Sequence, residues 1–97
     1  SFTFYMYNKY PVKASKNASK GYLLNLMKGS CKNATGVKTA LKLMNRESLN
    51  ENFVKKIYSF LKRAKVYVGE IDKCGYISYQ LWGGDEMLKW CEKKLKK

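Results

Sequence analysis

A chain of 97 residues suits a single domain and leaves room for one modest core. Apolar residues make up 45% of it and proline occurs once, which excludes a disordered basic tail and favours a folded globule. Twenty Lys and Arg against seven Asp and Glu give a formal charge of +13 at pH 7, and the first acid is Glu47. Such a field attracts phosphate backbones, anionic lipid or acidic protein.

Residues 1–12 read as an extended N-terminal arm. Phe2, Phe4 and Met6 alternate with Thr3, Tyr5 and Tyr7, a strand periodicity that Pro11 ends. The arm either docks extended, pairs with another chain, or pairs with Val66-Tyr67-Val68. Tyr5, Tyr7 and Tyr10 beside Lys9 and Lys13 also suit stacking of single-stranded bases. Because Phe2, Phe4 and Met6 call for burial, the preferred reading makes Phe2, Phe4, Tyr5, Met6 and Tyr7 a clasp for another protein.

Residues 13–97 read as one basic helical domain. A first helix is predicted from about Ala14 to Met27, with Ala14, Ala18, Tyr22 and Leu26 inward and Leu23 and Met27 widening the stripe. Gly21 costs about 1 kcal/mol against alanine inside a helix, which points to a close helix crossing. In the short second helix Val37, Ala40, Leu41 and Met44 face inward and Lys38, Thr39, Lys42 and Asn45 outward, with Arg46 just beyond. Ser48 and Glu51 form the spacing of a capping box. It opens a third helix to about Ala64, burying Val54, Ile57, Tyr58 and Leu61 and leaving Lys55, Lys56, Lys62 and Arg63 in solvent. A helical stretch over Tyr76 to Trp82 follows. Gly83-Gly84 breaks it, and Asp85 is placed to cap a last helix that buries Leu88, Cys91 and Leu95, with Met87 and Trp90 alongside. The whole is mainly α: a compact bundle of four to five short helices with a helix-turn-helix-like centre and an extended N-terminal arm.

Chemistry is sparse. Cys31, Cys74 and Cys91 form no CxxC pair and histidine is absent, whereas a closed zinc site takes about four Cys/His ligands, so no metal or cofactor is expected. The thiols are expected to be free in a reducing compartment. No apolar run nears the ~20 residues of a membrane span and no secretory leader is read, so a secreted or membrane-bound protein is not expected. Without histidine a nucleophile would need a lysine or carboxylate base, and no persuasive pair exists. The expectation is a non-enzyme with no small-molecule substrate.

The segment from Thr35 to Leu61 looks like the recognition half of a helix-turn-helix repressor. Lys38, Lys42 and Arg46 would meet phosphate or guanine, Asn45 adenine and Thr39 a thymine methyl; Lys55, Lys56, Lys62 and Arg63 would add phosphate contacts. An ordinary exposed helix face fits the same residues. The stretch from Gly29 to Gly36 also exceeds the three or four residues of such a turn. Gly83-Gly84-Asp85 precedes a helix, whose N-terminus binds anions. Asp85 and Glu86 would repel a phosphate, so a structural cap is the better reading.

Three segments, NASKG at 17–21, TGVKTALKLMNRESLNENFVKKIYSFLKR at 35–63 and GYISYQLWGGDEMLKW at 75–90, resemble a family of small proteins and domains encoded by tailed bacteriophages. The most specific feature is W-G-G-D with a tryptophan five residues after the aspartate, here Trp82, Gly83, Gly84, Asp85 and Trp90, for which a structural role is expected. Residues 1–16 lie outside the resemblance, and the stretch from Ala64 to Cys74 is shorter than in the family and lacks its histidine. Family members occur beside or fused to head and packaging genes, and they carry no activity to transfer. The resemblance implies a phage protein in the host cytoplasm or the virion. Charge and resemblance together predict a non-enzymatic phage protein that binds nucleic acid, DNA before RNA. The alternatives are a virion adaptor that contacts phage structural proteins through its arm, and an inhibitor of a host defence complex.

Overall fold

The computed structural model describes residues 6–70 and 73–96. A two-residue strand β1 (Met6–Tyr7) leads into helices α1 (Val12–Lys28) and α2 (Ala34–Met44). Strand β2 (Leu49–Asn50), α3 (Glu51–Ala64), a 3-10 turn (Lys65–Tyr67), α4 (Cys74–Leu81) and α5 (Gly84–Leu95) follow. The mainly helical bundle expected from the periodicities is present. Its buried centre is formed by Tyr10, Leu43, Leu49, Ile57, Leu61, Ile77, Leu81, Met87 and Cys91.

α1 packs through small residues. Ala14, Ala18 and Gly21 are its buried stripe, so the backbone of α4 approaches closely. A Cβ on Gly21 would lie 2.6 Å from the Leu81 amide nitrogen, the close crossing that the glycine predicted. The inward stripe is nevertheless rotated from the expected one: Leu23, Leu26 and Met27 are 56%, 60% and 81% exposed. An alanine/glycine face permits closer helix approach than a leucine face, and that contact sets the rotation.

Gly21 meets the end of α4, Met27 lies with Ile77 further along, and Cys31 is joined to Cys74 at its start. Later residues on one side thus meet earlier residues on the other, and α1 and α4 run in opposite directions. That packing brings Cys31 and Cys74, 43 residues apart in sequence, to a Cα separation of 5.6 Å and into a disulfide. The expectation of three free thiols is corrected accordingly: Cys91 alone is free, and it is buried. Burial raises its thiol pKa to about 12.

β1 pairs antiparallel with β2, Met6 opposite Asn50 and Tyr7 opposite Leu49. The predicted partner, Val66-Tyr67-Val68, is instead occupied by the 3-10 turn and the residue after it. Phe2, Phe4 and Tyr5 lie outside the described residues. The predicted capping box is also corrected. Asn50, not Ser48, caps α3, its Oδ1 accepting from the Phe53 amide at 2.8 Å.

The α4–α5 corner uses two consecutive left-handed residues, Gly83 (φ 110°) and Gly84 (φ 69°). Neither tolerates a side chain. A Cβ on Gly83 would fall 2.4 Å from that of Met87, and one on Gly84 would fall 2.6 Å from Asn17 Nδ2. Asn17 fastens the corner to α1 by donating to the Gly83 carbonyl (2.9 Å) and to Glu86 Oε1 (2.7 Å). Gly83 is the residue that precedes α5, so Asp85 stands inside the first turn rather than at the cap. Its carboxylate accepts from the Tyr79 hydroxyl. Trp82 stacks on Phe60 at 4.3 Å between ring centroids, while Tyr7 and Tyr10 pack edge-on against Trp90.

Candidate nucleic-acid interface

A helix-turn-helix centre would require α2 and α3 to pack as a consecutive pair. Here α2 packs on α1 and α4, and the main partner of α3 is α5. Hydrogen bonding at the end of α2 explains the divergence. The Arg46 amide donates to the Leu43 carbonyl (3.1 Å) and the Glu47 amide to the Lys42 carbonyl (2.9 Å), the paired bonds of a Schellman stop. The chain is then turned into β2 instead of directly into a second packed helix.

Arg46 occupies the left-handed position of that stop at φ 55°, where glycine is the usual residue. Its side chain shows why an arginine stands there. The guanidinium donates to the carbonyl of Tyr10 (2.6 Å), the carbonyl of Pro11 (3.2 Å) and Ser15 Oγ (2.8 Å), and it lies 4.3 Å from the centre of the Tyr10 ring. The Tyr10 hydroxyl completes the clasp by donating to the Glu47 carbonyl at 2.7 Å. Arg46 therefore ties the arm and α1 to the end of α2, and both of its terminal nitrogens donate within the chain. Burial raises the Tyr10 hydroxyl pKa above its ordinary range, against a lowering by the Arg46 charge and with a further raise from Glu47.

The remaining candidates on α2 have different surroundings. Thr39 is 1% exposed and its hydroxyl donates back to the Thr35 carbonyl at 3.0 Å, so its predicted outward orientation is corrected. Lys42 is half-buried, with Nζ 3.4 Å from Glu47 Oε1 and 5.5 Å from the Phe53 ring centre. Lys38 and Asn45 are exposed. What α2 offers is Lys38 and Asn45 two turns apart on one side, with Lys42 between them drawn onto Glu47 and Thr39 turned inward.

α3 is organised differently. Val54, Ile57 and Leu61 form its buried stripe. Helical geometry then places Asn52, Lys55, Lys56, Ser59, Lys62 and Arg63 together on the outer side, and all six are exposed. Lys55 lies 3.3 Å from Glu51 in an i,i+4 pair. No acid forms an ion pair with Lys56, Lys62 or Arg63 among the described residues. Arg63 donates to Ser59 Oγ at 2.7 Å, a bond that aims its guanidinium along the helix. Lys56 and Arg63 lie two turns apart, about 10 Å along the axis. The four predicted cations of this helix are thus brought onto one face and three of them lack an ion-pair partner among the described residues, whereas at α2 Lys42 is paired with Glu47 and Arg46 is bonded within the chain. Asn52 and Ser59 complete that face; their helical phase is readable in the sequence, but they carry no charge to mark them.

In the arm, Met6 is 54% exposed and Tyr7 is half-buried against Trp90. Tyr10 is 1% exposed, so its ring is part of the core and has no face for a nucleic-acid base. Among the described residues no three His, Cys, Asp or Glu stand close enough to hold a metal ion. No helix is long and apolar enough to cross a membrane among those residues. Tyr79 Oη on Asp85 is the most perturbed polar pair. Burial first, then the bond to Asp85, raises the phenol pKa well beyond its ordinary value. Gln80 Oε1 is buried without a hydrogen-bond partner at the same corner. No known family model, curated protein or solved structure matches this chain, so the reading of its surface rests on the residues themselves.

Proposed function

We propose that this is a non-enzymatic nucleic-acid-binding protein whose phosphate contacts are made by the outer face of α3. The observation that carries the reading is the grouping of Lys55, Lys56, Lys62 and Arg63 with Asn52 and Ser59 on one exposed face, where Glu51 alone offsets a lysine. Lysine and arginine neutralise phosphates and release their counterions, and short polar side chains add neutral hydrogen bonds to the same backbone. The net charge of +13 adds a long-range attraction that brings a polyanion to this face.

Fewer contacts come from α2. Arg46 and Thr39 serve the fold, and Lys38 and Asn45 are left as peripheral contacts. The phage affiliation rests on the three motif segments. Of the two locations it implies, the virion suits the bridged Cys31–Cys74 form better, because disulfides persist on virion surfaces and are reduced in the cytosol. A clasp of other phage proteins by the arm draws no support from Tyr7 and Tyr10, which are used within the chain by β pairing, Trp90 packing and the Arg46 clasp.

Anisotropy titration of labelled DNA and RNA oligonucleotides at ~50 mM salt tests the reading. Binding that weakens steeply with salt supports it; no affinity for either polymer at that salt removes it.

A further inference from the structure

One aromatic side chain among the described residues stands in solvent. Tyr67, at the end of the 3-10 turn that prolongs α3, is 78% exposed, as is Val66. The other described aromatics are buried or half-buried. A single exposed apolar side chain needs no explanation. Tyr67, however, forms one wall of a groove of about 330 Å³, shared with Phe60, Arg63, Ala64, Gly75 and Ser78. Its lining is mainly apolar, and its size is at the lower end for a ligand site, suited to one flat ring system.

The groove is held open by parts that do not yield easily. Phe60 is fixed by its stack on Trp82, with the rings 14° from parallel. Gly75 brings the start of α4 against the Tyr67 carbonyl, where a Cβ would lie 3.0 Å from the oxygen. Arg63 supplies the positive charge of the rim, and exposed Lys56 stands two turns before it on the same side of α3. Lys62 leans the other way, over the Tyr58 ring, and Lys65 lies 3.9 Å from Asp85. Glu70 is the described acid in the loop that follows. Lys56 and Arg63 share the outer face of α3, so the phosphate-binding face runs into the groove without a break.

We infer that the groove is a nucleobase slot, and that the polymer engaged is single-stranded. Phosphates would lie along Lys56 and Arg63 while one unstacked base enters and stacks on Tyr67. This inference rests on the α3 reading and adds the strand state to it. Every base has a π-face, so an aromatic wall beside cations binds single strands with little regard to sequence. Bases of an intact duplex are stacked on one another and cannot enter. A second copy of this chain would bring the same cations against the rim, so charge disfavours it as the occupant.

The test compares three labelled probes at equal salt: an oligo-dT strand, an abasic strand of equal length and phosphate number, and a duplex. Each is titrated with the wild-type chain, Tyr67→Phe and Tyr67→Ala. Tyr67 is exposed, so unchanged melting is expected in both variants. The slot predicts that oligo-dT binds more tightly than the abasic strand. Tyr67→Ala should weaken oligo-dT about tenfold, Tyr67→Phe should retain binding, and the abasic affinity should not move. Equal affinity for oligo-dT and the abasic strand, or no effect of Tyr67→Ala, overturns the slot and leaves the phosphate-binding face standing. Failure of all three probes to bind at ~50 mM salt overturns both.

Discussion

Replacing Arg46 by alanine removes the guanidinium from the Tyr10 and Pro11 carbonyls, from Ser15 Oγ and from the Tyr10 ring. A hydrogen bond to a charged group contributes about 1.5–3 kcal/mol when buried. Arg46 is half-buried, so the two short bonds are taken at about 1 kcal/mol each and the ring contact at about 0.5–1 kcal/mol. With the longer bond the loss is about 3 kcal/mol, which for a domain of this size lowers the melting temperature by about 12–20 °C. Arg46→Gly loses the same contacts but relieves the left-handed backbone, which disfavours alanine by about 1 kcal/mol, so it should lose only about 2 kcal/mol. Arg46→Lys keeps the charge without the planar fork and should fall between wild type and alanine. Urea unfolding with an unchanged m-value measures all three. An alanine variant within about 0.5 kcal/mol of wild type, the size of an ordinary surface substitution, would refute the clasp. So would a glycine variant no more stable than alanine.

Reduction of Cys31–Cys74 opens a loop of 43 residues and should remove about 4 kcal/mol on the chain-entropy estimate, read as a large drop in the urea midpoint with dithiothreitol. Native protein without reductant should take up no thiol reagent, because Cys91 is buried with its pKa raised to about 12; full labelling of Cys91 should appear only on unfolding. Gly83→Ala should cost more than 2 kcal/mol, since φ is 110° and the new Cβ meets Met87; a mild effect in thermal unfolding would contradict that packing. Tyr10, Tyr79 and Cys91 all have raised pKa values in the folded state, so they favour folding fully below about pH 9. That contribution is lost as pH rises above their unfolded values of 9.0 to 10.0, and Tyr79→Phe should flatten part of the alkaline decline.

Helix content was legible in the sequence because periodicity survives without knowledge of partners. The third helix ends at Ala64 as predicted, and Gly21 marks a helix crossing. What periodicity does not specify is how far a helix rotates on its partner. On α1 large and small apolar residues lie on neighbouring stripes, and close approach to α4 selected the small ones, leaving Leu23, Leu26 and Met27 outside. Asn50 and Ser48 are both good caps, and pairing of β1 with β2 fixes which one stands at the helix start. Long-range contacts were the least legible. Nothing local to Arg46 announces that the carbonyls of Tyr10 and Pro11 will be within reach, and nothing local to Cys31 announces Cys74. Of the candidate site, the cations of α3 were readable because their helical phase is strict. The positions of Thr39 and Arg46 depend on the tertiary arrangement, and in the sequence Tyr67 reads only as a strand former.

The central claim is that α3 presents the phosphate-binding face. Its most direct measurement is the slope of log affinity against log salt for the wild-type chain, for Lys56→Gln/Lys62→Gln/Arg63→Gln, and for Lys38→Gln on α2. Removing three phosphate contacts should flatten the slope by about 2–3 units, while Lys38→Gln leaves it near the wild-type value. A triple variant that binds with the wild-type slope would contradict the assignment of this face.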